Sequence, residues 1–544
     1  MRSVKDILCS FPMTALAISC LSLLVVWPTL VEQHWGLLDD GVTLAVAREL
    51  YKRWHIPVSG TGRYFPAYFT YYALEYGLFG TEISGYYAVQ ALVLMLTALL
   101  LYAIAHRLTQ SRGIGWLTVF LFLTSSSIAE NYYTLSKHEP RLLLFLLASL
   151  YFYLRAEPAL QLARLHLPAR RLSRLRSVLW GAASGVSLMI AYLTKETALM
   201  VLAASGLWAL VVFWLEKDGI QRPRTRAALG YLWLNFLTCM LFVLAAYVYT
   251  PTPLPWAGGY TSQHLSMVPS PEKLLYYMHA SLDVLLLVGL AFVGVLYLVL
   301  LQPHLVTPLA SYAAFCSLCA MAYLALFIFI WQVPSAYYLL PTLAWAVIAL
   351  GLLIKLLILD RPPSPRRALT VFVLITVLLL SRAYSIPFLY GSAVALQAWH
   401  RVNGQMITWA ATLSRDSRLR FLHLADDHEY LFEARLLLDL LYGRRDITID
   451  GIPGTTALPQ QAQSGDVLVV NFGGEANRYV WVRGVQAVPP LEYSKWSLAL
   501  ETAGLRLEEI FRTEYEKRIL PQFSMWPRSL ALGWVSYRVV SPLE

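Results

Sequence analysis

Two adjacent carboxylates, Asp39 and Asp40, follow the first apolar stretch of the chain, on a segment rich in Tyr, Phe and Trp. A carboxylate pair at a membrane surface suits two tasks: removing a proton from an acceptor beside the bilayer, or holding a metal ion there. A plainer use is to cap a short helix running from Gly41 to Tyr51, because Asp before a helical run accepts hydrogen bonds from unpaired amides. Other charged groups occupy comparable places. The stretch from Glu130 to Arg141 brings Lys137, His138 and Glu139 to the start of an apolar helix, where Glu139 is also suited to capping. Lys195 and Glu196 interrupt two apolar stretches with almost no loop between them, and charges at that depth are usually paired or functional. Arg63, Tyr64 and Glu75 lie within the aromatic-dense segment 63–79. His423, Asp426, Asp427 and His428 have the look of a metal cluster, yet a strand end followed by an Asp-capped helix accounts for them more simply.

The elements that position these groups belong to a membrane protein. With 58% hydrophobic and 14% charged residues over 544, and a mean hydropathy of +0.54, the chain lies outside the soluble globular range. Crossing roughly 30 Å of hydrocarbon takes about 20 helical residues. Eleven candidate spans satisfy this approximately, near 11–31, 85–105, 113–129, 140–157, 177–194, 197–215, 228–250, 283–301, 309–331, 337–359 and 368–389. With a cytoplasmic amino terminus, every inner loop carries Lys or Arg, among them Arg107, Arg112, Arg164 to Arg176, Lys217 to Arg226 and Arg361 to Arg367. The net charge of +10 therefore reads as topogenic, touching anionic lipid rather than nucleic acid. Loops 32–84, 130–139, 194–196, 251–282 and 332–336 then share the outer side with everything after residue 390. The cysteines all lie in or beside spans, so no outer-face disulfide is expected.

In the first outer loop, apolar Val42, Ala45, Val46, Leu50 and Trp54 recur with helical period opposite Arg48, Lys52 and Arg53, and predict an interfacial helix. The aromatic segment 63–79 predicts a second one in the headgroup layer. Residues 391–417 form a linker with a helix over 397–413, and 418–544 a small soluble α/β domain. Its expected strands are 421–424, 446–449, 466–472, 479–482 and 534–540, with an amphipathic helix over 429–441.

Four stretches, in order and all on the outer side, give the chain a family likeness. They are Leu38-Asp39-Asp40 with the downstream Gly62-Arg-Tyr-Phe-Pro66 and Leu78-Phe-Gly80; His138-Glu139-Pro140; Leu193-Thr-Lys195; and Ala336-Tyr-Tyr338-Leu-Leu-Pro341. Residues 10–390 resemble the GT-C superfamily of membrane glycosyltransferases, in the branch of protein O-mannosyltransferases and the aminoarabinose transferase that modifies lipid A. Two departures stand out: Asp40 occupies the place of the family's Glu, and no basic residue stands just before the tyrosine of the last motif. The resemblance implies a GT-C-like catalytic domain over 1–390 and a sugar donor attached to polyprenyl phosphate. It implies inverting transfer of one sugar to a hydroxyl of a protein, lipid or glycan at the outer face of a bacterial inner membrane. In that reading Asp39 is the general base, with Asp40 orienting or replacing it. Arg63, Tyr64, Lys137, Lys195 and Tyr338 bind the donor phosphate and its lipid carrier, and Glu139 with Glu75 or His138 could hold a divalent ion such as Mg, Mn, Ca or Zn.

Two rivals make contrary demands on the sequence. A polymerase or ligase of lipid-linked oligosaccharide would need a large late outer loop with paired arginines, where this chain has only Trp331 to Ala336. A transporter or flippase would place ionisable residues near the middle of its spans, whereas here they gather at the outer ends.

Overall fold

A computed structural model describes residues 11–36, 39–53, 64–164, 170–215, 223–249, 271–301, 307–331, 335–422, 424, 429–453, 458–472, 498, 500–518 and 529–541. The apolar stretches are helical because, in hydrocarbon, each backbone N–H and C=O must find its partner within the segment. In chain order they are α1 (Phe11–Val31), the loop helices α2 (Asp40–Arg53) and α3 (Pro66–Phe79), α4 (Ile83–Thr109), α5 (Arg112–Leu123), α6 (Ser127–Tyr132), α7 (Glu139–Arg164), α8 (Arg170–Thr194), α9 (Leu199–Leu215), α10 (Pro223–Tyr249), α11 (Pro271–Ala280), α12 (Leu282–Leu296), α13 (Pro308–Ala325), α14 (Leu340–Ile354) and α15 (Pro365–Ala410). Helix α14 is the axis of the bundle: every residue from Leu340 to Ile354 is buried.

Among the described residues, nine helices are long and apolar enough to cross a membrane. Both remaining expected spans are also helical. Helix α7 has 26 residues but carries Glu139, Arg141 and Arg155. Helix α5 has only 12, and its end has a cause. Asp283, at the start of α12, accepts from Ser125 Oγ at 2.6 Å, Ser126 Oγ at 2.5 Å and Ser126 N at 3.2 Å, which draws the chain into a turn. Arg382 of α15 completes this buried knot, its Nη2 lying 3.4 Å from Asp283.

Both expected loop helices form, but the buried face of α2 is turned from the one expected. Thr43, Leu44, Ala47 and Leu50 are buried, while Val42, Ala45 and Val46 are only partly covered. The cause is that α2 packs on α3 along one side and on the carboxyl-terminal domain along the other.

The expected break after residue 389 is absent: α15 is one helix of 46 residues, with Pro387 inside it. Its far end enters the carboxyl-terminal domain, whose elements are β1 (Arg418–Leu422), α16 (Glu429–Tyr442), β2 (Thr448–Ile452), α17 (Leu458–Gln461), β3 (Val467–Phe472), β4 (Arg506–Arg518) and β5 (Ser529–Val540). The sheet order is β2-β1-β3-β5-β4. Its first three strands are parallel and its last two antiparallel. Strand β4 was not anticipated; it lies at the sheet edge, where its charges guard an open strand. The expected strand at 479–482 and the group His423, Asp426, Asp427 and His428 lie outside the described residues.

Helix α15 is fastened to the sheet by Trp409 stacked on Phe511 at 4.4 Å and by Trp534 Nε1 donating to Asn403 Oδ1 at 2.8 Å. Trp534 and Asn403 are both buried. Trp534→Phe therefore leaves the Asn403 carbonyl without that donor and is expected to cost about 1–3 kcal/mol. Thermal unfolding in detergent measures this, and an unchanged midpoint would remove the bond from the forces joining helix and sheet.

Candidate active site

The site is assembled where the α1–α2 loop, the segment before α7, the end of α8 and the start of α14 meet. Asp39 stands at the cap position of α2: its carbonyl accepts from Thr43 N at 2.9 Å, and its own φ is +64°. A left-handed conformation is tolerated by Asp better than by most side chains. Asp39 is half-buried, whereas Asp40 is 2% exposed. Asp40 Oδ2 accepts from Gly36 N at 2.8 Å. A Cβ on Gly36 would lie 3.2 Å from both Asp40 Oδ2 and His400 Nε2, so this turn has little room for any residue but glycine.

Lys137 links the acids to a cationic pocket. Its charge acts on Asp40 and on Glu130, and its Nζ lies 4.5 Å from the centre of the Tyr337 ring. Lys195 Nζ approaches the same ring at 5.8 Å and the Tyr338 ring at 4.7 Å. Two ammonium groups thus converge over adjacent tyrosines, a geometry that favours positive charge and offers an anion a partner. Lys195 also pairs with Glu139, both buried. Beside them, Glu130 accepts from Ser335 Oγ at 3.3 Å.

Aromatic rings hold the roof. His138 stacks on Tyr68 with centroids 3.5 Å apart, and its Nδ1 lies 3.2 Å from the Thr194 carbonyl. The Tyr68 hydroxyl donates to the Ser136 carbonyl at 3.0 Å and meets Thr43 Oγ1 of α2 at 3.3 Å. Glu75 pairs with Arg141 at 2.5 Å, and Arg141 lies 4.0 Å over the Tyr72 ring. Tyr64 packs against Tyr249 and Phe242 of α10, at 6.0 and 6.3 Å. Arg63 lies outside the described residues.

The structure therefore gathers Asp39, Asp40, Lys137, Lys195, Tyr338 and Glu139, with His138 alongside. Tyr64 stands on a neighbouring wall, and Glu75 is occupied by Arg141. Glu75 and Glu139 each have a protein cation as partner, and no group of three His, Cys, Asp or Glu suited to a metal forms among the described residues. Each keeps its second oxygen, Oε2, buried and without a hydrogen-bond partner, yet no set of three ligands forms around either among the described residues, so these residues do not fit a metal as they stand. A cavity of about 490 Å³ between α12, α14 and α15, beside Arg361 and Arg367, contains none of the site residues.

Sequence reasoning missed Glu433. From α16 it reaches the first turn of α2, where Oε2 accepts from Gly41 N at 2.6 Å and Oε1 from Val42 N at 3.3 Å. Its signal was legible: Tyr430, Glu433, Ala434 and Leu437 follow the i, i+3, i+4, i+7 pattern, so a glutamate sits in an apolar stripe.

Burial pushes the Asp40 carboxyl up to about 7, against the Gly36 amide and the Lys137 charge. Burial, reinforced by Asp39 and Asp40, pushes Glu433 up to about 9 against the amides of Gly41 and Val42. Both values are raised, so the stability these groups contribute is fully present below their unfolded values of about 4 and is lost as pH rises through 7 and then 9. Thermal stability is expected to fall between about pH 4 and 9, with the part above about pH 7 coming from Glu433 and flattened in Glu433→Gln. A stability that rises over this range would contradict the placement of these acids.

Residues 57–255 match the family model described as dolichyl-phosphate-mannose-protein mannosyltransferase. No curated protein matches the chain in sequence. Among solved structures, the chain resembles the oligosaccharyltransferase of Archaeoglobus fulgidus tethered to an acceptor peptide containing the NVT sequon. That pair has a TM-score of 0.51 at 10% identity, over 90% of this chain and 71% of the other. AglB of the same organism, in complex with an inhibitory peptide and a dolichol-phosphate, gives 0.50 at 9% identity, over 91% and 72%. ArnT from Cupriavidus metallidurans, bound to undecaprenyl phosphate, gives 0.49 at 14% identity, over 97% and 98%. At these identities the likeness to the oligosaccharyltransferases is one of fold. The family match takes in Lys137, Glu139 and Lys195 and stops short of Asp39, Asp40 and Glu433. The family match and the likeness of fold point the same way as the resemblance drawn from the sequence.

Proposed function

We propose that the chain transfers a single sugar from a polyprenyl-phosphate carrier to an acceptor hydroxyl, with inversion at the anomeric carbon. The observation that carries this reading is that Lys137, whose charge acts on Asp40 beside the half-buried Asp39, converges with Lys195 over Tyr337 and Tyr338. The acceptor oxygen forms the new bond to the anomeric carbon as the bond from that carbon to the phosphate oxygen breaks. The acceptor proton passes to Asp39, and the leaving group departs as polyprenyl phosphate. Lys137 and Lys195 stabilise the charge that grows on the phosphate, with the Tyr338 hydroxyl beside them. Asp40, held by the Gly36 amide, fixes the loop that carries Asp39. No step runs through a metal, and chelation with add-back of Mg or Mn tests the ion expected from the sequence.

The fold supports a lipid-borne donor in a physical sense as well. Helices α2 and α3 lie beside the spans with many tyrosines, a composition suited to the boundary of a bilayer, where a prenyl chain and a polar sugar can both be accommodated. We place the site on the outer side of a bacterial cytoplasmic membrane, with acceptor hydroxyls of protein, lipid or glycan as the candidates. The test is release of free polyprenyl phosphate by the purified protein from a panel of polyprenyl-phosphate sugars and acceptors. Release names the donor. No release in any combination, with a labelled sugar lipid crossing the bilayer in proteoliposomes, would replace transfer by transport.

A further inference from the structure

A helix normally has its first amides satisfied by its own cap residue: the side chain of an Asp at that position accepts from the second or third helical N–H. In α2 the cap residue is Asp39, and those second and third amides belong to Gly41 and Val42. Neither is given to Asp39. Both are taken by Glu433, which comes from the other domain, 392 and 391 residues away in sequence. Asp39 has φ +64°, whereas a side-chain cap is typically made from the extended region. The capping role has been transferred to Glu433, which is fully buried and, among the described residues, has these two amides as its hydrogen-bond partners.

We infer that Glu433 is a positioning residue of the site, which by capping α2 from the carboxyl-terminal domain keeps the Asp39 carboxylate available to the acceptor. This rests on the transfer reading above. The contact is close-fitting: a Cβ on Gly41 would meet Glu433 Oε2 at 2.6 Å. It is also braced nearly two turns along each helix, where Arg48 of α2 lies 3.8 Å from Asp439 of α16. Removing Glu433 leaves two orphan amides at the second and third positions of α2, the ones that the side chain of a cap residue such as Asp39 takes once its backbone relaxes to the extended region. An aspartate engaged by its own helix is a weaker base and is turned from its substrate. The carboxyl-terminal domain thereby becomes part of the catalytic arrangement without touching the sugar.

The experiment uses full-length protein in nanodiscs. Glu433→Ala is expected to lower kcat by about 10- to 100-fold with little change in the KM for the lipid donor, the loss typical of a displaced catalytic group. Glu433→Gln, which keeps one acceptor oxygen, is expected to recover part of that rate. In an Asp39→Asn background Glu433→Ala should cost nothing further, because the effect is exerted through Asp39. Hydrogen exchange supplies a readout that does not need turnover: the amides of Gly41 and Val42 should stay protected in Glu433→Ala only if Asp39 has taken them, and lose that protection in Glu433→Ala combined with Asp39→Ala. Additive effects in the double variant, or an undiminished kcat in Glu433→Ala, would overturn the inference. If Asp39→Asn is itself fully active, the transfer reading fails instead, while the exchange result still reports on the cap.

Discussion

Replacing Asp39 by Asn is expected to reduce turnover by about a hundred- to ten-thousand-fold, the range a general base contributes, with donor binding nearly intact. The fold gives reasons for so selective a loss. Asn adopts the left-handed conformation at least as readily as Asp, so a φ of +64° is no obstacle. The first amides of α2 are held by Glu433, so the helix keeps its cap. Asp39 is also only half-buried, which spares the variant a new desolvation cost. Single-turnover release of polyprenyl phosphate, beside an equilibrium measurement of donor binding, separates the two effects. Wild-type turnover in Asp39→Asn would remove it as the base.

The second large effect concerns Lys195 and Glu139. Lys195→Met leaves a buried carboxylate without its cation and is expected to destabilise the protein by about 3–5 kcal/mol. Loss of activity in that single variant would therefore be ambiguous between unfolding and loss of a phosphate ligand. The double variant Lys195→Met with Glu139→Leu resolves this. Replacing a whole buried pair by apolar side chains is often close to neutral, so thermal stability should largely return. Affinity for polyprenyl phosphate should not, and a deficit of about 10- to 100-fold is expected from one lost charge-assisted hydrogen bond. A stable double variant with undiminished affinity would make the pair a purely structural tie between α7 and the end of α8.

Much of the membrane part was legible from sequence because a single strong rule governs it: long apolar runs must be helical, and their polar exceptions stand out. Asp39, Asp40, Lys137, Glu139 and Lys195 were visible for that reason, and the structure brings them together. What escaped were pairings across distance. That Glu75 would meet Arg141, or that both lysines would share Tyr337, depends on how helices far apart in sequence face one another. The length of α5 escaped because Ser125 and Ser126 count as mild interruptions in a hydropathy scan, whereas Asp283, far along the chain, turns them into an end. Strand β4 escaped because charges crowd it and leave few apolar residues to mark a strand, and only the sheet edge explains them. Glu433 was the one omission that sequence could have supplied, since a carboxylate inside an apolar stripe needs a partner.

Helix α15 changes what the carboxyl-terminal domain is to the membrane. At about 1.5 Å per residue its 46 residues extend roughly 69 Å. Roughly 30 Å of that suffices for the hydrocarbon layer, leaving about 39 Å on which the sheet is mounted through Asn403, Trp409 and their partners. Such a rod is a lever whose short arm rests in lipid. A change in tilt of only ~5° moves its far end by roughly 3 Å, the length of a hydrogen bond. The contact between Glu433 and the first turn of α2 is thus carried on the outer arm of a helix whose inner arm is set by the bilayer.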